Sequence, residues 1–339
     1  MHHPLVSIIT VTLNCLADGR KDFLLQNFES VHRQTYDAVE HIVVDGASTD
    51  GTVELLEEYQ SKGWITYTSE KDNGIYDAMN KGCRLARGDY VLVLNSDDWY
   101  AADDIVEKMA ALAEKHGADY VYGHQICCSR DGRKRRLEHC HPYSFWYSMP
   151  FNHPACMIKK AVVQRQGGYR TDFDTVEDYR FFIQLILDDY KGVMLDEPIC
   201  NYRLGGVTLR SDRRIDHYDL YYRRLAKLYC WFYRKFDDRL TEERIIANYI
   251  GEIGGEYDNM FFIRLIRFML NLKLRYFDYE QFLKFIESIS DIHGHEKFVK
   301  TIFLLGIPIF KIKISKKISK YYLFGKHLMF LRVKSENRI

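Results

Sequence analysis

Four short strand-like runs alternating with helical periods constrain this chain more than any other feature. The runs are VSIITV at 6–11, HIVV at 41–44, WITYTS at 64–69 and YVLVL at 90–94. Helical spacing fills the gaps at 23–33, 52–62 and 74–87, with Thr52 placed to cap the second helix and Gly88 to close the third. Strand–helix alternation with apolar strands implies an α/β chain built on a mostly parallel sheet covered on both faces. Sheets of this kind bind ligands outside the carboxyl ends of their strands. Three polar clusters fall at those ends here: 12–14, 45–50 and 95–98.

Further along, 101–115 reads as a helix, 119–128 as a strand turning at Asp131-Gly132, and 176–187 as a helix opening on Glu177-Asp178. Residues 213–300 are expected to be helical and are rich in aromatics. From 300 to 339 there are ten Lys/Arg and one acid, Glu336, interleaved with Phe, Leu and Ile. That pattern suits a surface lying on anionic membrane. The chain therefore divides, on sequence, into 1–212, a helical extension at 213–300 and a basic amphipathic tail at 301–339.

Composition narrows the function classes. At 47% hydrophobic and 28% charged the chain can bury a core. Lys+Arg of 48 against Asp+Glu of 47 gives no whole-chain argument for nucleic-acid binding, and no groove-reading module is recognisable. No run reaches the ~20 apolar residues that span a bilayer. The first residues lead straight into the apolar run without a leader's h-region, so no secretory signal is expected. Eight scattered cysteines without a repeated C-x-x-C read as reduced thiols.

The chemistry-bearing candidates each have a plainer alternative. Asp97-Asp98 follows a buried run, and two adjacent carboxylates cannot both enter a core. One can meet a sugar hydroxyl and the other a divalent cation completed by phosphate oxygens. Taken alone, Ser96-Asp97-Asp98 reads first as a capping turn. The loop from Asp45 to Thr52 is turn chemistry or a close approach to a nucleotide, with Asp45 accepting from a ring N–H. It is not G-x-G-x-x-G, and no G-x-x-x-x-G-K-[ST] loop occurs, so dinucleotide binding and ATP hydrolysis are demoted. Glu177-Asp178 is a candidate base at a helix start, or simply acidic charge favoured by the helix dipole. Cys127-Cys128 with His139, Cys140 and His141 matches no finger spacing, which disfavours zinc. The run RKRR at 133–136 reads as a solvated hairpin edge, with binding of a phosphate-bearing acceptor or lipid headgroup as the sharper option.

Taken together, VSIITVTLN at 6–14, IVVDGASTDGT at 42–52, EKDNGIYDAMNKGCRLARGDYVLVLNSDD at 70–98 and NHPACMIKKAVVQRQGGY…EDY…YRLGG at 152–206 resemble the family 2 glycosyltransferases of GT-A fold. GIYDAMNKG in particular resembles bacterial enzymes of surface-polysaccharide and lipopolysaccharide assembly. The resemblance implies a Rossmann-like mixed sheet flanked by helices, and an inverting transfer from a nucleotide-sugar donor, a UDP-sugar by expectation, to a glycan or lipid-linked glycan. By the same match Thr12, Asn14, Asp45 and Asp50 belong to the nucleotide site. Asp97 would hold the ribose, Asp98 a Mn²⁺ or Mg²⁺ bridging the diphosphate, and Asp178, with Glu177 beside it, would supply the general base. His153 could orient acceptor or diphosphate, or serve as a hydrogen-bonded structural histidine; Arg203 could approach the diphosphate.

Two rivals stand beside this reading. A sugar nucleotidyltransferase would want a Gly- and Lys/Arg-rich first loop where Thr12-Leu13-Asn14-Cys15 stands. A non-catalytic glycan- or membrane-binding module would have no need of Asp98 and Asp178. The basic tail leads to an expected place at the cytoplasmic face of the inner membrane.

Overall fold

The computed structural model describes residues 3–140, 149–205, 227–228, 231–232, 299–304, 307–315, 318–323 and 331–333. The chain divides into two compact units, Met1–Leu228 and Tyr229–Ile339.

The first unit is built on one nine-stranded sheet, with β7 attached to the side of β6. Its strands are β1 (Val6–Thr12), β2 (Val39–Asp45), β3 (Thr66–Ser69), β4 (Tyr90–Val93), β5 (Trp99–Tyr100), β6 (Tyr120–Cys128), β7 (Arg135–Glu138), β8 (Cys156–Lys159) and β9 (Gly192–Arg203). The order is β3-β2-β1-β4-β8-β6-β9-β5. β3, β2, β1 and β4 run parallel, and β8 then pairs antiparallel with both β4 and β6. The sheet is thus mixed, its parallel half being the part expected from the sequence.

β1 and β4 are buried along their whole length, and the period of two divides their side chains between two cores. Ile9, Val11, Ile42, Val44, Val91 and Val93 enter one core with Tyr76, Met79, Phe181 and Phe182. Val6, Ile8, Leu92 and Leu94 enter the other with Val106 and Met109. Burying each such aliphatic side chain is worth about 1.5–3 kcal/mol, which is why the apolar runs settle at the centre of the sheet.

The helices are α1 (Lys21–His32), α2 (Thr52–Ser61), α3 (Ile75–Leu85), α4 (Ile105–His116), α5 (Lys160–Arg165) and α6 (Glu177–Leu187). Two capping expectations are corrected. The cap of α2 is Gly51 at φ +92°, and Thr52 is the first helical residue. Its hydroxyl donates to Oδ1 of Asp50 (2.6 Å) and accepts from the Cys15 amide (3.0 Å). Gly88 caps no helix, since α3 ends at Leu85 with Ala86 as cap. Gly88 instead passes beside β1, where a Cβ would stand 2.6 Å from the Leu5 carbonyl oxygen and from Ser7 Oγ. Gly82 has a similar reason: a Cβ there would meet Ile9 Cγ2 at 2.3 Å, so α3 lies directly on β1.

The basic run is an edge hairpin, with Arg135 and Arg136 on the exposed strand β7. The seven described cysteines are free thiols. No helix among the described residues is long and apolar enough to cross a membrane.

In the second unit, β10 (Val299–Leu304), β11 (Ile307–Ser315), β12 (Ile318–Leu323) and β13 (Leu331–Val333) form an antiparallel four-stranded sheet. Its register sets Lys313 opposite Lys320 and Lys320 opposite Arg332. The segment expected to be a helical extension, 213–300, lies almost wholly outside the described residues; 227–228 and 231–232 are helical.

Candidate active site

The polar clusters do gather at the carboxyl ends of β1, β2 and β4. The acid loop, Asn95 to Asp98, is held from three sides. Asn27, fully buried on α1, donates its Nδ2 to the carbonyls of Asn95 (2.9 Å) and Asp98 (3.0 Å) and accepts from the Thr10 hydroxyl at Oδ1. The Asp98 amide closes the turn onto the Asn95 carbonyl (3.0 Å). Arg203, at the end of β9, supplies the third side.

Arg203, which could approach a diphosphate by the family match, packs against the acid loop. The residue is 5% exposed, and its guanidinium lies between the rings of Phe23 (3.8 Å) and Trp99 (4.6 Å). It donates to the carbonyls of Asp97 (3.1 Å) and Arg130 (2.6 Å) and to Oε1 of Gln26 (2.7 Å). Burial draws its pKa below the usual arginine range despite the nearby acids. Three of the guanidinium's five N–H donors are thereby committed to bracing the loop.

The two acids differ. Asp98, expected to face a metal, is 1% exposed and turned inward: Oδ1 accepts from the Arg203 amide (2.8 Å) and Oδ2 from Asn95 Nδ2 (2.9 Å). Asp97 is the more open of the pair. Burial, then the charge of Asp97, pushes the Asp98 carboxyl well above the usual range. Burial also raises Asp97, opposed chiefly by Arg20. Two carboxylates held together at this cost suit a divalent cation, which would relieve both the desolvation and the repulsion.

On the nucleotide side, Asn14 adopts φ +45°, donates its amide to Ser48 Oγ (2.7 Å) and accepts from the Thr49 amide (3.0 Å). It therefore joins the loops after β1 and β2. Thr12 is buried, its hydroxyl 2.6 Å from Cys15 Sγ. Asp45 is fully buried and accepts from the Ser48 amide (2.8 Å) and the Ser69 hydroxyl (2.6 Å), as well as from Ser48 Oγ. Asp50 accepts from the amides of Ala17 (2.7 Å) and Thr52 (3.1 Å). Although burial opposes it, these hydrogen bonds hold Asp50 below the ordinary carboxylate range. Asp50 ties loops together; in this arrangement it is a scaffold residue.

Glu177 and Asp178 part company at the start of α6. Successive helical residues point about 100° apart, so one can face the site while the other faces the core. Glu177 is fully buried and accepts from the Arg180 guanidinium (2.6 Å at both oxygens) and the Arg170 amide (2.7 Å). It anchors the helix start. Asp178 stays partly open: Oδ1 accepts from the Tyr76 hydroxyl (3.1 Å) and the Tyr179 amide (2.9 Å), and Oδ2 lies 3.0 Å from His153 Nδ1. His153 sits on a one-turn 3₁₀ segment, His153–Ala155, with Pro154 as its second residue.

Sequence reasoning passed over Asn27, Tyr76, Asn80 and Asn95. Tyr76, Asn80 and Asn95 lie within a quoted motif and Asn27 on the helix that follows β1, but their partners come from remote segments. Asn80 on α3 pairs both ways with the backbone of Tyr169, accepting its amide (2.8 Å) and donating to its carbonyl (2.7 Å). Gly168, at φ +77°, permits that approach, since a Cβ would lie 2.5 Å from Asn80 Oδ1. Tyr169 in turn stacks on Tyr76 at 6.0 Å. No group of three or more metal-ligating side chains occurs among the described residues; His141 lies outside them.

With this geometry in hand, comparison with known proteins is direct. The family model of Glycosyl transferase family 2 matches residues 7–176. An uncharacterized glycosyltransferase of Mycobacterium tuberculosis is 32% identical over 190 residues, covering 54% of this chain and 70% of that one. A PGL/p-HBAD biosynthesis glycosyltransferase of Mycobacterium bovis is 36% identical over 136 residues, 39% of this chain and 51% of its own length. Among solved structures, the fold matches a Pyrobaculum calidifontis mannosyltransferase in complex with GDP-Man and Mn²⁺ at TM-score 0.51 and 17% identity, covering 87% of this chain and 82% of that one. It also matches Staphylococcus aureus TarS in complex with UDP-GlcNAc at TM-score 0.51 and 16% identity, covering 98% and 100%.

Proposed function

This chain belongs to glycosyl transferase family 2, and from that premise we propose that it moves a sugar, with inversion, from a nucleotide diphosphate donor to a hydroxyl of a glycan or lipid-linked glycan. The GT-A-type sheet and the enzyme class are shared with its relatives. The observation that supports the finer reading is the placing of Asp178. Its carboxylate is linked through His153 to Asn95 in the loop that carries the acid pair, so base and donor site form one cluster.

In this reading the nucleoside lies over the loops joined by Asn14, with Thr12 and Asp45 beneath it. A UDP-sugar is the donor the motifs favour; GDP-Man in the mannosyltransferase and UDP-GlcNAc in TarS are the ligands of the structural neighbours. A divalent cation, Mn²⁺ or Mg²⁺, would be held by the Asp97–Asp98 pair and would neutralise the departing diphosphate. Asp97 presents the open carboxylate, while Asp98 with Asn95, Asn27 and Arg203 fixes the loop. Asp178 takes the proton of the acceptor hydroxyl as its oxygen attacks the anomeric carbon. Tyr76 and the Tyr179 amide hold one oxygen of Asp178, leaving the carboxylate plane set before the acceptor arrives.

A role in surface-polysaccharide or lipopolysaccharide assembly is proposed on the resemblance of GIYDAMNKG and on relatives such as the PGL/p-HBAD enzyme. Attachment to an anionic membrane face is proposed for the C-terminal unit. Its support is the row of Lys313, Lys320 and Arg332 across three neighbouring strands. Flotation with phosphatidylglycerol vesicles, compared between the full chain and the K313E/K320E/R332E variant, tests it; equal flotation overturns it.

The test of the activity is calorimetric titration of UDP, GDP and dTDP, with and without Mn²⁺, into wild type, Asp97→Asn and Asp98→Asn. Metal-dependent binding of one nucleotide, lost in Asp97→Asn, is the expected result. Well-folded protein that binds no nucleotide would overturn the reading and favour a non-catalytic module.

A further inference from the structure

The ring of His153 touches both halves of the site. Its Nδ1 lies 3.0 Å from Oδ2 of Asp178 and its Nε2 lies 3.1 Å from Oδ1 of Asn95. Asn95 in turn gives its Nδ2 to Oδ2 of Asp98 at 2.9 Å. Four side chains thus form one line, Asp178–His153–Asn95–Asp98, whose members come from a helix start, a 3₁₀ turn and the end of a strand.

The line has a direction. The NH₂ of Asn95 faces Asp98, and its oxygen is left for His153. Each ring nitrogen lies within hydrogen-bond distance of an oxygen, one on Asp178 and one on Asn95. An Asn95 turned about its last torsion would break both of its bonds at once. The side chain of His153 is 14% exposed and that of Asp178 is 16% exposed, so water competes weakly with either bond.

We propose that His153 and Asn95 are positioning residues that couple the donor-side acid pair to the base, so that occupation of the acid loop is felt at Asp178. The inference rests on the reading of Asp178 as the base. Neither residue touches the reacting atoms in this scheme; each acts through its neighbour. A cation and diphosphate held at the Asp97–Asp98 loop would shift the loop and with it the Asn95 amide, and the ring of His153 would follow. Alignment of Asp178 with the acceptor hydroxyl is then complete only with donor in place, which limits abstraction of a proton when no sugar is present to receive the oxygen.

The experiment follows the ring directly. Histidine ring signals of the full chain are recorded by NMR with saturating Mg²⁺ plus UDP, and separately Mg²⁺ plus GDP, the His153 signal being identified by its loss in His153→Gln. The expected result is a shift of the His153 signal on nucleotide binding in wild type, absent in Asn95→Ala at saturation. No shift in saturated wild type, or an equal shift in Asn95→Ala, overturns the proposal. Binding of neither nucleotide removes the donor-site reading and the proposal with it.

Turnover separates the remaining cases. Release of nucleoside diphosphate from UDP-glucose, UDP-N-acetylglucosamine and GDP-mannose is measured with water as acceptor. His153→Gln keeps the bond toward Asn95 and His153→Asn the bond toward Asp178, so both are expected to fold. Each should lower kcat about 10- to 100-fold with nucleotide affinity held within about twofold. In the background of Asp178→Asn the same changes should add nothing. Parallel loss of affinity and turnover in both variants would mark a merely structural histidine. Full activity of Asp178→Asn would instead remove the base assignment.

Discussion

Tyr76 on α3 and Asp178 at the start of α6, 102 residues apart in sequence, meet through a 3.1 Å hydrogen bond from the phenol to the carboxylate. The phenol ring is buried against Tyr169, so its hydroxyl has one fixed place to go. Burial first, then the charge of Asp178, pushes the Tyr76 pKa well above the ordinary value, so the hydroxyl remains a donor throughout the working range. Tyr76→Phe removes that donor together with the acceptor of the Asp178 amide (3.4 Å). Turnover should fall roughly tenfold and stability by about 1–2 kcal/mol, with nucleotide affinity unchanged. Steady-state kinetics and urea unfolding check the three together.

Arg203→Lys tests the brace behind the acid loop. A lysine cannot serve the Asp97 carbonyl, the Arg130 carbonyl and Gln26 together, nor lie flat between Phe23 and Trp99. The expected cost is about 3 kcal/mol or more, read as a lower urea midpoint, with metal-dependent nucleotide binding weakened as a consequence. A variant of unchanged stability and reduced nucleotide affinity would return Arg203 to the diphosphate role.

Gly82→Ala addresses the contact of α3 with β1. The added methyl would stand 2.3 Å from Ile9 Cγ2, and Ile9 is fully buried with no room to withdraw. Despite the better helix propensity of alanine, the variant should lose about 1–3 kcal/mol. Thermal unfolding decides it.

His41 should leave a signature in the pH dependence of stability. It is buried, its Nε2 lies 2.9 Å from the Thr10 hydroxyl, its Nδ1 has no partner, and burial lowers its pKa to about 3. The unfolded chain takes up a proton near the ordinary value of 6.5 and the native state does not. Stability from this group is therefore complete above that value and is lost as pH falls from 6.5 toward 3, with a slope of up to one proton. Urea midpoints at pH 7 and pH 5 should differ in wild type, and His41→Gln should flatten the difference.

The parallel half of the sheet and the three polar strand ends were legible because apolar runs and turn clusters are local signals. The antiparallel insertion of β8 between β4 and β6 was not, since nothing within CMIK indicates which way its neighbours run. Asp178 could be found by its motif, whereas the fate of Glu177 depended on which side of α6 met the core. Asp98 and Arg203 show the same limit: adjacency in sequence brought the acid to the site, but only the packing of β9 against the loop decided that both would be turned inward. Asn27, Asn80 and Asn95 act across distances that no local pattern encodes, and each meets backbone or side chains supplied by a remote segment.

Trp99, one of four tryptophans in the chain, follows Asp97-Asp98 directly and carries the Arg203 guanidinium on its ring at 4.6 Å. Indole emission is sensitive to the charge and polarity immediately around it. The donor side of the molecule is thus furnished with its own optical gauge, and the filling of the acid loop can be followed as the part of the indole emission change that a Trp99→Phe variant lacks.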